Sequence, residues 1–323
     1  MTMSDRAAFE AILGHTKSGV RLDANETVHF EQSLEHLRAQ ITEAEFPALK
    51  ALTLVPFEPG IDEGSETFAW TFYDRVGIAK IIANYATDLP NIEEFGTKRA
   101  TPIVSVGAAF GYSLTDLRRA AKTGYQLESR KARMAREAID RVIDSIVAHG
   151  DTSTGVPGFL NHTLIPLVDT GLNFDWGNET GENILEDLMS MAFQVWTQSK
   201  QVHGNGGLRM LLGTESYKAV ATKPYSATIP DTVLSVFLRS QQLVTEVESW
   251  VELDLADAQG DGERAIVYDP SPENLSAIVP IRFESLPAQA ASLHFSVPCH
   301  ARVGGTVVRR PLSMCYFDGL MDA

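Results

Sequence analysis

Apolar and polar positions follow a helical period most regularly over residues 126–149. Leu127, Met134, Ala135, Ala138, Ile139, Val142 and Ile146 share one face of a 3.6-residue wheel. Arg130, Arg133, Arg136, Glu137, Asp140, Arg141 and Asp144 share the other, with Arg133/Glu137, Arg136/Asp140 and Glu137/Arg141 at i,i+4 spacing. This predicts a spine helix roughly 35 Å long, stopped by Gly150. A shorter helix is expected before it, opening at the capping-box sequence Ser113-Leu114-Thr115-Asp116 and broken near Gly124. Basic residues crowd the start of the long helix and Asp140 and Asp144 its end, the reverse of what the helix dipole favours. Either solvent tolerates that order or partners outside the chain neutralise it.

Residues 1–25 read as an arm, followed by an amphipathic helix over 26–43 with Asn25 as its cap and a stop at Pro56. Residues 66–83 read as a long strand, because Phe68, Trp70 and Phe72 alternate with Thr67, Ala69, Thr71 and Tyr73. A second strand, 101–112, returns after the polar turn region around Asp88-Leu89-Pro90-Asn91 and Gly96. Arms of this kind reach roughly 40 to 50 Å at about 3.3 Å per residue. A two-stranded ribbon is only marginally stable alone, so it must lie on its own domain or on a neighbouring subunit.

Beyond a turn-rich connector, 150–161, the pattern predicts a helix over 182–200, a strand at 208–212 and short helices at 214–220 and 230–238. Pro230 and Asp231 fall in the first turn of the last. Strands at 244–255 and 264–268 flank the Gly260-Asp261-Gly262 turn, so the middle of the chain reads as an α/β domain. Two closing strands flank Gly304-Gly305, with Leu293, Phe295, Val297 and Cys299 alternating in the first. In a simple hairpin there, Cys299 and Cys315 fall out of register, which predicts free thiols.

Composition agrees with a folded chain: 323 residues, 44% hydrophobic and 21% charged. Length alone favours two domains. No run of eighteen apolar residues offers a membrane-spanning helix, and the start of the chain has no apolar core of signal-peptide length, so a cytoplasmic location is expected. Two cysteines are too few for a disulfide framework. A net charge of −15 excludes the ordinary basic type of nucleic-acid-binding protein. Locally the balance differs, with eight Lys/Arg against five Asp/Glu between Ser113 and Gly150 and an acidic stretch over 244–273 around a lone Arg264.

Candidate chemistry is sparse. None of the eight histidines forms a zinc-binding pattern, and His294 and His300 read as a surface or interface pair on one strand face. Gly204-Asn205-Gly206-Gly207 lacks the lysine and hydroxyl of a phosphate-binding loop, and there is no Gly-x-Ser-x-Gly elbow. Asp254, Asp257 and Asp261 are out of register for a calcium loop and read as a solvated acidic loop. No catalytic, cofactor-binding or metal-binding residue is predicted. Long elements built for contact, without an evident active site, point to a structural protein.

The order of parts resembles the major capsid proteins of tailed bacteriophages with the Hong Kong 97-type fold. Local sequence carries the resemblance too: 70–80 (Trp70-Thr71-Phe72-Tyr73-Asp74-Arg75 onward), 112–117, 135–161 with Gly158-Phe159-Leu160-Asn161, and Arg302-Val303-Gly304-Gly305-Thr306 before Pro311. The resemblance implies an α+β chain divided into an N-terminal arm (1–63), an extended two-stranded loop (64–111), the spine helix of a peripheral domain (112–160), a central axial α/β domain (161–290) and closing strands of the peripheral domain (291–323). It implies self-assembly through hexamers and pentamers into an icosahedral shell around double-stranded DNA, in the virion and, during assembly, the host cytoplasm. A portal, and separate scaffolding or decoration proteins, are the further partners, with no cofactor and no membrane.

Trp70, Phe72, Asp74, Arg75, Lys80, Lys98 and Arg99 are then the expected inter-subunit residues of the extended loop. Relatives that cross-link use a loop lysine, but nothing in the sequence marks Lys80 or Lys98 as reactive. Arg118, Arg119, Lys122, Arg130, Lys131, Arg133 and Arg136 form the charged face of the spine segment, and the first five are expected to face the lumen or to pair with acidic residues of a neighbour. A shell protein must not bind its genome tightly in every copy, which suits an acidic chain with one modestly basic segment. Two other readings stand beside this one: an encapsulin-type nanocompartment shell and a soluble α/β enzyme.

Overall fold

The computed structural model describes residues 48–76, 93–113, 115, 127–168, 176–204, 207–257, 262–291 and 294–322. The expected helices at 26–43 and after Ser113, the ribbon tip with Lys80, and Arg118, Arg119 and Lys122 lie outside the described residues. A single helical turn, α1 (Ala51–Leu54), comes first and ends at the extended Val55, before Pro56. Strands β1 (Thr67–Val76) and β2 (Glu93–Pro102) then pair antiparallel, Thr67 opposite Pro102 and Val76 opposite Glu93. The next strand, β3 (Val104–Ser113), belongs to another sheet.

This corrects the expected ribbon. Its return arm is 93–102, and the predicted strand 101–112 divides at Ile103, with Gly96 inside a strand rather than in a turn. The reason is burial. Ile103 packs with Ile278 and Val307, fixing the chain to the body there, and beyond it Val104, Val106, Ala108 and Phe110 must face a core.

The long helix α2 (Leu127–His149) meets that need. It buries Ala135, Ile139, Ile143 and Val147. The predicted apolar face is rotated, however: Met134 is 61% exposed, Val142 43%, and Ala138 is exposed as well. Apolar positions span a wider arc than the sheet beneath can cover, and only one flank of that arc is used. Ser113 closes β3, and its hydroxyl lies 2.7 Å from that of Thr115; the helix it was expected to cap lies outside the described residues.

The last carbonyls of α2 lack partners within the helix. Phe159 N–H donates to Val147 O at 2.9 Å, Leu160 N–H to Ala148 O at 2.8 Å and the Asn161 side-chain amide to His149 O at 2.9 Å. Gly150 turns the chain with φ +73°, and β4 (Gly150–Asp151) pairs with β5 (Val156–Pro157). The predicted connector is thus the cap of the helix.

Strand β6 (Leu167–Val168) and helix α3 (Gly181–Gln198) follow, α3 capped by Thr180 and buried through Ile184, Leu188, Met191, Ala192 and Val195. Next come β7 (Leu208–Leu212), α4 (Thr214–Thr222), α5 (Val233–Ser240), β8 (Val244–Ser249) and β9 (Gly262–Tyr268). Helix α5 starts later than expected, because the Thr232 hydroxyl caps it and Pro230 and Asp231 precede it. Strands β8 and β9 are not a hairpin; β7 lies between them, and after Ser249 the chain turns through the buried Trp250 into a 3-10 turn, Val251–Leu253.

The closing region holds β10 (Leu275–Ala277), β11 (Ile281–Ser285), β12 (Gln289–Ala291), β13 (His294–Val303), β14 (Thr306–Val308) and β15 (Met314–Asp322). The expected hairpin across Gly304-Gly305 does not form. Strand β13 pairs with β3, β11 and β12, β14 pairs with β10, and β15 joins a five-stranded sheet ordered β6-β15-β9-β7-β8. Gly305, with φ +70°, sits where an added Cβ would lie 2.2 Å from Pro157 O, so the turn is packed against β5 instead of opening a hairpin. Cys299 and Cys315 are free, as expected, and both are buried; they are kept apart by lying in different sheets rather than by hairpin register.

Strand β9 is buried on both faces, and its period of two divides its side chains between two cores. Ile266 and Tyr268 join α2, Phe159 and the sheet of β3 and β13; Ala265 and Val267 join α3, α4 and α5. All these elements belong to one compact unit, Leu49–Ala323.

The buried Thr306 hydroxyl donates to Val147 O at 2.9 Å and ties β14 to the end of α2. Thr306→Val keeps the shape and removes that bond, so urea unfolding of the variant should show about 1 kcal/mol of lost stability. An unchanged midpoint would mean that the amide from Phe159 suffices.

Candidate assembly surfaces

The base of the ribbon is anchored on the body of the chain. Phe68 and Trp70 stack with ring centroids 6.1 Å apart and pack on Ile103, Ile278 and Val307. Arg309 holds this base in place: its guanidinium lies 6.0 Å from the Phe68 ring centroid, 2.7 Å from Glu58 Oε2 and 3.0 Å from Ser276 Oγ. Arg302 donates to Glu63 O beside it. Phe72 continues the same face but is 45% exposed. It overhangs a groove of about 330 Å³ lined by Ser199, Val202, His203, Arg310, Pro311 and Leu312. Val202 and Leu312 are themselves exposed there.

Lys98 is exposed opposite Thr71, and the partly buried Arg99 lies opposite Trp70. Asp74 and Arg75 pair in register with Phe95 and Glu94. On α2 the basic residues do not act as one group. Lys131 donates to Gly111 O at 2.6 Å, Arg136 lies 3.8 Å from Asp140 and 5.9 Å from the Phe283 ring centroid, Arg133 is exposed, and Arg130 lies in the first turn. Asp140 also meets Arg282 at 3.2 Å, and Asp144 accepts the Leu52 amide at 3.0 Å. The acidic end of the helix is therefore largely occupied within the chain.

The acidic loop is likewise structural. Asp254 accepts from Thr214 N at 2.7 Å and from its hydroxyl at 2.9 Å, while the buried Glu263 accepts the Glu215 and Ser216 amides at 2.9 Å. Both carboxylates cap the start of α4, a role that a search for calcium-loop spacing does not detect. His294 and His300 sit on β13, with His300 3.6 Å from Glu284. Among the described residues no three His, Cys, Asp or Glu side chains are grouped to hold a metal ion.

Sequence reasoning missed the buried junction between the helix cap and the five-stranded sheet. Arg264 forks onto Asp318 with contacts of 2.6 and 2.7 Å, donates to Leu160 O at 2.6 Å and lies 4.6 Å from the Tyr316 ring centroid. The signal was present: a lone arginine in a long acidic stretch. Tyr316 hydroxyl donates to Phe159 O and accepts the His162 amide at 3.1 Å. His162 is buried and its Nδ1 accepts from Leu164 N at 3.2 Å, so the ring is held neutral. Burial, and secondarily the charge of Arg99, push its pKa down to about 4.

The arrangement of sheets and helices defines a class before any sequence match does. The capsid of Myoviridae phage XM1 has a similar fold, with a TM-score of 0.72 and 18% identity over 90% of this chain and 98% of that one. The capsid of a native GTA particle (TM-score 0.61, 12% identity, 88% and 94% covered) and a structure from Mycobacterium phage Adephagia (0.56, 12%, 86% and 92%) are similar too. Comparison with curated protein sequences finds no match. The sequence model of the family described as Major capsid protein matches residues 77–320. The chain belongs to the major capsid protein family, and its role is that of a structural shell protein of the virion.

Removing the Asp318 carboxylate leaves the Arg264 charge buried without its counter-ion. Asp318→Ala should cost about 3–5 kcal/mol in denaturant unfolding, and Arg264→Met/Asp318→Leu distinctly less. Equal losses would show that packing, not the unpaired charge, sets the cost.

His162 binds its proton in the unfolded chain near pH 6.5 but in the folded chain only near pH 4. Its contribution is complete above about pH 6.5 and is lost as pH falls towards 4, by about 3 kcal/mol in all. His162→Gln should flatten the melting temperature over that window; a parallel pH profile would assign the acid sensitivity elsewhere.

Proposed function

We propose that the chain assembles through hexamers and pentamers into an icosahedral, Hong Kong 97-type shell around double-stranded DNA. The observation that carries the reading is the two-stranded ribbon, packed at its base and with an exposed aromatic further out. Trp70 and Phe68 are packed on their own chain, whereas Phe72, on the same face, projects over an open apolar groove. Two paired strands without a third are marginal by themselves, and contact with a neighbouring copy supplies the missing burial. Each such contact is small, and a closed shell repeats it many times. Virion residence, assembly in host cytoplasm, a portal, and separate scaffolding or decoration proteins follow from this reading.

The net charge of −15 fits a container whose wall does not hold its contents. Lys98 and Arg133 remain exposed, and inter-subunit contact by Lys98, Arg99, Asp74 and Arg75 is part of the proposal.

Electron microscopy and light scattering of the chain, expressed alone and with its phage's scaffold, test it. Closed particles or capsomers are expected, with nuclease-protected DNA inside native particles. Phe72→Glu should lower particle yield about tenfold while leaving the subunit's circular dichroism unchanged. A monodisperse monomer under all conditions would refute shell assembly, and protected protein cargo without DNA would make the shell a nanocompartment.

A further inference from the structure

One surface lies largely outside the contacts described above. Lys131, Met134, Ala138, Val142, Ser145 and His149 follow one line along α2. Met134, Ala138, Val142, Ser145 and His149 are exposed, outside the buried row of Ala135, Ile139 and Ile143. At the far end His149 Nε2 meets the half-exposed Glu252 carboxylate at 2.7 Å. Val251 and Leu255 flank that glutamate, 68% and 64% exposed. At the near end lies Lys131, partly buried, whose ammonium also donates to Gly111 O at 2.6 Å. The row is basic at one end, apolar in the middle and acidic at the other.

We propose that this row is a contact between two copies of the chain laid antiparallel across a local two-fold axis. Copies related by a two-fold present the same patch to each other. A row with opposite charges at its ends complements itself only when reversed. Reversal sets the Lys131 end against the Glu252 end, the apolar centre against itself, and the two helix dipoles antiparallel. A parallel arrangement would place like charges together. The same geometry explains why the basic start of α2 is retained against its own dipole: the acid it needs comes from the second copy.

A second copy is the occupant because of charge. At −15 per chain, copies repel over most of their surface, whereas this row carries Lys131 at one end and Glu252 at the other and so complements itself when reversed. With Lys131 opposite His149, Ala138 of one copy faces Val142 of the other. The inference rests on the shell reading, since a monomer would leave the row bare.

Both native thiols are buried, so engineered ones report alone. Ala138→Cys and Val142→Cys chains should be co-assembled, oxidised and run on a non-reducing gel. The mixture is expected to give several-fold more cross-linked dimer than either chain by itself. In parallel, Val142→Glu, at an exposed position, should leave subunit melting unchanged and reduce closed particles about tenfold. The inference stands only if both results are seen. Normal particles from Val142→Glu, or no excess dimer in the mixture, would overturn it while leaving the shell reading intact. Failure of the unsubstituted chain to form particles would remove both.

Discussion

The free carbonyls at the end of α2 are the point on which the rest of the structure depends. Val147, Ala148 and His149 carry acceptors that the helix itself cannot satisfy. They are met by the amides of Phe159 and Leu160, the Asn161 side chain and the Thr306 hydroxyl. These partners come from two separate parts of the chain. The helix end is therefore where the connector and β14 are brought together, with Gly150 and Gly305 allowing the close approach. Leu160 passes the link onward, because its carbonyl accepts from Arg264 in the five-stranded sheet. One helix terminus thus links β14 to the five-stranded sheet.

That junction is closed and fully packed, and it contrasts with the surfaces left open. Phe159, Tyr268 and Arg264 are buried, and Arg264 is paired with Asp318. Phe72, Met134, Val142, Val251 and Leu312 are large apolar groups that the chain exposes although its core is complete without them. A structural protein divides its residues in this way: the interior holds the subunit, and the apolar surplus is kept for copies of itself.

Local patterns were legible wherever one period served one core. Helices α3 and α4 stand close to where apolar spacing puts them, since the buried apolar side chains of each belong to one core. The long helix was legible as an element, but its buried flank was not, because Met134 and Ala135 are equally apolar and only the sheet decides between them. Pairing was the least legible part. The run from Glu93 to Ser113 looks continuous, yet it changes partner at Ile103, a choice made by Ile278 and Val307, which lie far along the chain. The Gly304-Gly305 turn has the composition of a hairpin and is instead pressed on Pro157. Of the candidate assembly residues, Trp70 and Phe72 could be found from alternation, but their different burial could not. The carboxylates of Asp254 and Glu263 resembled a solvated loop because helix capping across long separations leaves no local spacing.

The central claim is that the folded subunit is complete at its junction and incomplete along its ribbon. Hydrogen–deuterium exchange, compared between dissociated subunits and assembled particles, tests it most directly. Amides of Val147 to Leu160 and of β9 should be protected in both states. Those of the outer half of β1 and β2, from Phe72 onward and up to Thr97, should exchange quickly in the subunit and slowly in the particle. Equal protection of the ribbon in both states would contradict the account.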